Sequence, residues 1–218
     1  MFAEPFDDDD GYRMWLDQSE VTKLLSKCQS QKEEIAFSLG VRSGLRASEI
    51  VSVTASDVVD TSAGPRVRIT NSKGKRYRET PTTEQIRSTA NTYAELQGSD
   101  SRLVPHTKRW VQRHLDRVTD ELATEDDEMW SHVTPHDLRR TWATSLAASD
   151  VDPLLVCDWG GWADLETFLD HYRGTYSPDA QRRELGKVGW LSDGGAMRDA
   201  SDVDPEGWIV DTESTVSD

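Results

Sequence analysis

Arg66-Val67-Arg68-Ile69-Thr70-Asn71-Ser72-Lys73-Gly74-Lys75-Arg76-Tyr77-Arg78-Glu79-Thr80-Pro81 is the stretch that decides the fold class. Val67 and Ile69 alternate with Arg66, Arg68 and Thr70, a period of two that predicts a strand with one buried face. Asn71-Ser72-Lys73-Gly74-Lys75 reads as a turn, and residues 76–80 return as a second strand before Pro81. Residues 57–60 offer a third short strand. Outward from this hairpin the periodicity is helical. Asp17-Gln18-Ser19-Glu20 offers an N-cap and a Glu that reaches back, ahead of Val21, Leu24 and Leu25. Ile35, Ala36, Leu39 and Val41 continue a second apolar helix, which Gly44 breaks. Later helices are expected over residues 83–97, 107–123, 136–148, 153–159, 164–173 and near 178–186. There is no internal repeat. The expected class is mostly α with a small antiparallel β-sheet (α+β).

The chain has 218 residues, 35% of them hydrophobic, and a net charge of −15 from 25 basic and 40 acidic side chains. The acid sits mainly at the ends. Residues 1–10 hold five acids and no base, and residues 191–218 hold eight acids and one Arg, which leaves a nearly balanced middle. The expected organisation is an acidic N-terminal segment over 1–17, one domain over 18–190, and a disordered acidic tail over 191–218. No apolar run approaches the ~18 residues of a membrane span, and an acidic start does not resemble a signal peptide. A cytoplasmic protein without membrane contact is expected. Cys28 and Cys157 are too few for a disulfide scaffold or a Cys-based zinc site. The acidic, lysine-poor composition suggests a salt-rich halophile cytoplasm, although an ordinary acidic protein has the same composition.

Against this background two basic islands stand out. Residues 66–78 carry Arg66, Arg68, Lys73, Lys75, Arg76 and Arg78 with no acid, and residues 102–117 carry Arg102, Lys108, Arg109, Arg113 and Arg117 against Asp116 alone. Such islands suit a polyanion, most simply nucleic-acid phosphate. A charge-protected strand and a solvated helix face would read the same way. In Thr134-Pro135-His136-Asp137-Leu138-Arg139-Arg140, Pro135 suits the first helical position with Thr134 as cap. His136, Arg139 and Arg140 then share one face near the positive end of a helix, where a phosphate would bind. A surface histidine beside ion-paired arginines is the alternative. His132 and His136 have the spacing of a zinc pair, but Pro135 between them prevents a continuous helix, so no metal is expected.

Taken together these residues resemble the tyrosine recombinases, the phage integrase family, over roughly residues 18–185. Gly44-Leu45-Arg46-Ala47-Ser48-Glu49-Ile50 resembles the family's first arginine box. The turn Ser72-Lys73-Gly74-Lys75, with Pro81 beyond it, resembles its lysine hairpin. His136-Asp137-Leu138-Arg139 matches its second box, and Trp159-Gly160-Gly161-Trp162 followed by His171-Tyr172 resembles its last.

The resemblance implies the DNA breaking-rejoining fold and a site-specific recombinase of integrase type. Such an enzyme cleaves and rejoins strands through a 3′-phosphotyrosine, with no metal or cofactor. It implies Arg46 and Arg139 as the clamp on the scissile phosphate, Lys73 as the acid for the leaving 5′-oxygen, His136 as proton acceptor or relay, and Tyr172 as nucleophile. Fixed arginines suit a metal-free site because they stay charged and bind oxyanions through two parallel bonds. Trp162 stands where the family more often has His. An indole offers one N–H and no acid–base chemistry, so this position would hold the phosphate rather than move protons. Glu49 would steady Arg46. Lys75 competes with Lys73 and Tyr176 with Tyr172, and the family spacing favours Lys73 and Tyr172. Arg66, Arg68, Lys75, Arg76, Arg78, Lys108, Arg109, Arg113 and Arg140 are expected to contact DNA, with Arg140 also readable as structural.

Double-stranded DNA is thus the expected partner, with a homotetramer assembled on it and residues 177–190 passed to a neighbouring copy. The family's usual helical DNA-binding domain is expected to be missing ahead of the first helix, which implies weak DNA affinity and leaves three alternatives: a minimal recombinase, DNA contacts borrowed from an accessory DNA-binding protein, or a remnant. A type IB topoisomerase-like enzyme, an idle DNA-binding regulator and an acidic protein adaptor are the rival readings.

Overall fold

The computed structural model describes residues 1–5, 12–70, 77–149, 151–163, 165–166, 168, 182, 185–186 and 188. Met1–Ser177 forms one unit and Pro178–Asp218 another. The turn over 71–75, most of the expected helix over 164–173, the expected piece near 178–186 and the 191–218 tail therefore lie wholly or largely outside the described residues.

The chain opens with β1 (Phe2–Pro5) and β2 (Tyr12–Trp15), paired antiparallel, followed by α1 (Gln18–Ser26), α2 (Gln31–Ser43) and the short α3 (Ala47–Ile50). A three-stranded antiparallel sheet follows: β3 (Val58–Thr61), β4 (Gly64–Ile69) and β5 (Arg78–Pro81), side by side in that order. The rest is helical: α4 (Glu84–Gln97), α5 (Lys108–Glu125), α6 (Pro135–Ala148) and α7 (Pro153–Gly160). Among the described residues no helix is long and apolar enough to cross a membrane.

Local chemistry explains the element ends. Asp17 accepts from the amides of Ser19 (2.8 Å) and Glu20 (2.9 Å), and the Glu20 carboxylate accepts from the Asp17 amide at 2.8 Å. That closes the capping box expected from the sequence. Thr83 and Thr107 cap α4 and α5 more simply, their hydroxyls accepting from the Ile86 and Trp110 amides at 3.3 Å with no side chain reaching back. Val67 and Ile69 face the core, while Arg68 points out and pairs with Glu79 across the strand at 3.0 Å.

Helix α2 runs through the centre, with Ile35, Ala36, Phe37, Leu39 and Val41 buried, and packs against α6 through Gly40 and Leu138. It ends at Gly44, whose φ of 67° is left-handed. A side chain there would also meet the Trp142 ring at 2.3 Å. Gly44→Ala therefore combines a left-handed penalty of about 1–2 kcal/mol with overpacking of about 1–3 kcal/mol. Gly64 also has positive φ (94°) but open space around it, so Gly64→Ala carries only the first penalty. Thermal denaturation should find Gly44→Ala clearly the less stable of the two. Equal melting temperatures would refute the tight packing at Trp142.

The N-terminal boundary differs from the sequence reading. Residues 1–17 were expected to be an acidic segment outside the domain, yet Met14 and Leu16 belong to the core, and Phe2 stacks on Trp15 with 5.7 Å between ring centroids. The Met14 amide donates to Asp137 at 3.1 Å and the Leu16 amide to Thr141 at 3.0 Å, so β2 lies along α6. Four-residue strands leave too few alternations to be recognised beside a run of acid; residues 7–10 themselves lie outside the described residues.

Candidate active site

Two helix C-termini and one helix N-terminus build the site. The α2 C-terminus hands the chain to Leu45 and Arg46, which precedes α3. Pro135 opens α6, and the Asp137 carboxylate accepts from the Thr134 amide (2.9 Å) and hydroxyl (2.6 Å), securing the turn that presents His136 and Arg139. Helix α7 stops at Gly161, left-handed at φ 66°, which turns the chain so that Trp162 follows.

Arg139 joins these parts. Its side chain is buried at 1% exposure, with Nη1 donating to the Gly44 carbonyl and Nη2 to the Gly160 carbonyl, both at 2.7 Å. Both acceptors sit at helix C-termini, where the backbone is electronegative and favours a cation. Trp162 lies against the guanidinium at 4.3 Å, parallel to Trp142 (6.3 Å) and edge-on to Phe168 (5.2 Å). The sequence placed Arg139 and Trp162 in one site, and the structure brings them into contact.

Arg46 is 40% exposed and touches Glu49 through Nη1 at 3.1 Å, while its own amide donates to the same carboxylate at 2.8 Å. Glu49 is only 3% exposed. Its principal partner is Arg78, whose Nη1 and Nη2 grip the two carboxylate oxygens at 2.9 and 2.8 Å and whose Nε donates to the Trp159 carbonyl at 2.9 Å. Burial alone would push the Glu49 carboxyl up. The Arg78 hydrogen bonds and charge, and then the Arg46 amide and charge, reverse this and hold it down at about 2.

That depression sets a sign. The stability it contributes is present above the unfolded value near 4.5 and is lost as pH falls toward about 2. The shift corresponds to about 3 kcal/mol. Denaturant unfolding of Glu49→Gln should show that much less destabilisation between pH 5 and pH 2 than wild type; identical pH slopes would refute the assignment.

His136 is exposed at the start of α6. Desolvation on its protein side, then the Arg140 charge and more weakly those of Arg139 and Arg46, lower its pKa, while Asp137 acts in the opposite sense. The imidazole is therefore neutral at pH 7 and fit to accept a proton.

The expected DNA contacts separate into two groups. Lys108, Arg109 and Arg113 are exposed at the start of α5, around a shallow cleft with Arg102 and His106, beside a stack of His106, Trp110 and His114 spaced 4.2 and 4.1 Å. Arg68 is exposed, and Arg66 lies partly exposed over the Trp159 ring at 5.1 Å. Arg78 and Arg140 are different: they are 7% and 5% exposed, paired with Glu49 and Asp137, and so face inward rather than toward a DNA surface. A signal for Arg78 existed. It pairs in register with inward-facing Ile69, so the period of two already turned it toward the core. Lys73, Lys75, Arg76, Tyr172 and Tyr176 lie outside the described residues. Among the described residues no group of three His, Cys, Asp or Glu side chains is placed to hold a metal ion.

The sequence profile of the Phage integrase family matches residues 14–177. Tyrosine recombinase XerC of Erythrobacter litoralis is 34% identical over 127 residues, 57% of this chain and 40% of that protein. The chain spans about half the length of the curated relatives it matches. In fold it is similar to the Tn1549 transposon integrase in complex with transposon right end DNA, at a TM-score of 0.62 and 20% identity, covering 84% of this chain and 69% of the other. It is also similar to the catalytic domain of bacteriophage HP1 integrase, at a TM-score of 0.56 and 20% identity, covering 82% of this chain and 96% of the other.

Proposed function

Because the chain belongs to the phage integrase family, we propose that it is the catalytic domain of a site-specific DNA recombinase acting through a 3′-phosphotyrosine. The observation that carries this reading is Arg139, whose two terminal nitrogens connect the carbonyl of Gly44, two residues before Arg46, to that of Gly160, two residues before Trp162. One buried cation thereby fixes the spacing of both arginine boxes and the tryptophan turn. A metal-free phosphoryl transfer needs such fixed positive charge around the non-bridging oxygens.

The Tyr172 phenol oxygen attacks phosphorus and the bond to the 5′-oxygen breaks. The phenol proton passes to neutral His136, and the Lys73 ammonium gives a proton to the leaving oxygen. Arg46, the exposed guanidinium, meets the charge that builds on the phosphate, while Arg139 adds fixed positive charge from its buried place between the Gly44 and Gly160 carbonyls, with the Trp162 ring against it. A free 5′-hydroxyl reverses the sequence and rejoins the strand, with the bond energy kept in the phosphotyrosine. Duplex DNA is the substrate, read along the exposed arginines of α5 and β4, and a tetramer exchanges two duplexes in a cytoplasmic setting.

Covalent trapping on nicked suicide duplexes from candidate attachment sites, at several potassium concentrations, tests this. A denaturation-resistant protein–DNA adduct is expected. Binding without an adduct at any salt would replace the reading with an idle DNA-binding regulator. Supercoil relaxation without strand exchange would replace it with a topoisomerase-like enzyme.

A further inference from the structure

Arg78 has no part in the reaction steps proposed above, yet it makes the tightest set of contacts near Arg46. It is 7% exposed, bonds both oxygens of Glu49, and donates its Nε–H to the Trp159 carbonyl at the C-terminal end of α7. We infer that Arg78 is a positioning residue, in the recombinase reading above, that stops Glu49 from neutralising Arg46 and ties the start of β5 to the turn bearing Trp162.

Charge and geometry carry the inference. Glu49 sits between two guanidinium groups. The Arg78 pair is bidentate and buried on both sides, whereas Arg46 makes a single side-chain contact at 3.1 Å and is 40% exposed. Bidentate buried pairing is the stronger of the two, and a half-exposed single contact contributes little. The carboxylate is thus balanced by Arg78, and the surplus positive charge of the group is carried by Arg46, the member that reaches solvent and incoming phosphate. Without Arg78, a buried Glu49 would draw the Arg46 guanidinium onto itself.

The connection to the rest of the site is equally direct. Arg78 is the first residue of β5, five residues beyond Lys73 in the sequence. The carbonyl it holds, Trp159, is the neighbour of the Gly160 carbonyl held by Arg139. A Cβ on Gly161 would lie 2.8 Å from the Arg78 side chain, so the α7 end and Arg78 fit closely. Lysine would not replace it, because a single ammonium cannot span two carboxylate oxygens in one plane and also reach the carbonyl.

The test uses Arg78→Met, Arg78→Lys and the double variant Arg78→Met/Glu49→Gln, with two readouts. One is the single-turnover rate of adduct formation, measured beside duplex affinity. The other is the 15N signal of the Arg46 Nε titrated with inorganic phosphate, which needs no DNA and no cleavage. In Arg78→Met the adduct rate is expected to fall at least about 100-fold with duplex affinity within about threefold, a split that a general loss of structure would not give. The Arg46 response to phosphate should weaken about tenfold and return to about the wild-type value in the double variant. Arg78→Lys should remain at least about tenfold impaired in rate. A wild-type Arg46 response in Arg78→Met, or no recovery in the double variant, overturns the inference. Should Arg78→Met fail to fold, a wild-type response in Arg78→Lys or a double variant no better than Arg78→Lys overturns it instead. If wild type forms no adduct on any duplex, the recombinase reading fails while the phosphate titration still decides the role of Arg78.

Discussion

Arg139→Met is expected to be both the most destabilising change in the site and one of the most damaging to cleavage. The substitution keeps the bulk of the side chain but leaves the Gly44 and Gly160 carbonyls without their 2.7 Å donors and removes the cation from the Trp162 ring. Each hydrogen bond from a charged donor contributes about 1.5–3 kcal/mol, so a total loss of roughly 3–6 kcal/mol follows for the two. For a domain of this size that lowers the melting temperature by about 6–24 °C. Adduct formation should fall at least about 1,000-fold, because the phosphate loses a fixed cation and the Arg46 and Trp162 turns lose their common tie. Arg139→Lys should recover part of the stability and little of the rate, since one ammonium cannot serve two carbonyls and a ring at once. A melting temperature within about 2 °C of wild type would contradict the structural half of this expectation. A cleavage rate within tenfold would contradict the catalytic half.

Tyr172→Phe should behave in the opposite manner, with complete loss of the covalent adduct and little change in stability. The substitution deletes one oxygen, the atom proposed to bond to phosphorus, so no slower version of the same step is left. Duplex affinity should stay within about threefold, because phosphate affinity comes from the arginines and not from the phenol. Tyr176→Phe is the necessary control and should retain the adduct. The pair separates the two tyrosines cleanly in a denaturing gel. An adduct that survives Tyr172→Phe but is lost in Tyr176→Phe would move the nucleophile by four residues and leave the reaction class intact.

Much of this site could be read along the chain because its signals are local. The Asp17 and Glu20 box, Pro135 at the start of α6, the inward Val67 and Ile69, and the Arg46-to-Glu49 spacing all concern residues within one turn or one strand. The strand pair at the N-terminus is not legible in the sequence, since each strand is four residues long and the partner of β2 in space, α6, is more than a hundred residues away. The place of Arg78 is hidden for a related reason. Within a run of six basic residues it looks like its neighbours, and only the register opposite Ile69 and the presence of Glu49 beneath it set it apart.

By itself the sequence determined the types and order of the candidate site residues, and the mostly helical class with the three-stranded sheet. Periodicity and capping act over a few residues, so they survive without the fold. The tertiary structure alone decided which of these arginines reach the surface and which are paired inside. Arg46 and Arg78 have the same side chain, but one is half-exposed at the edge of a carboxylate and the other is buried across it. That difference comes from the burial and partners of each guanidinium, which depend on residues brought together from distant parts of the chain.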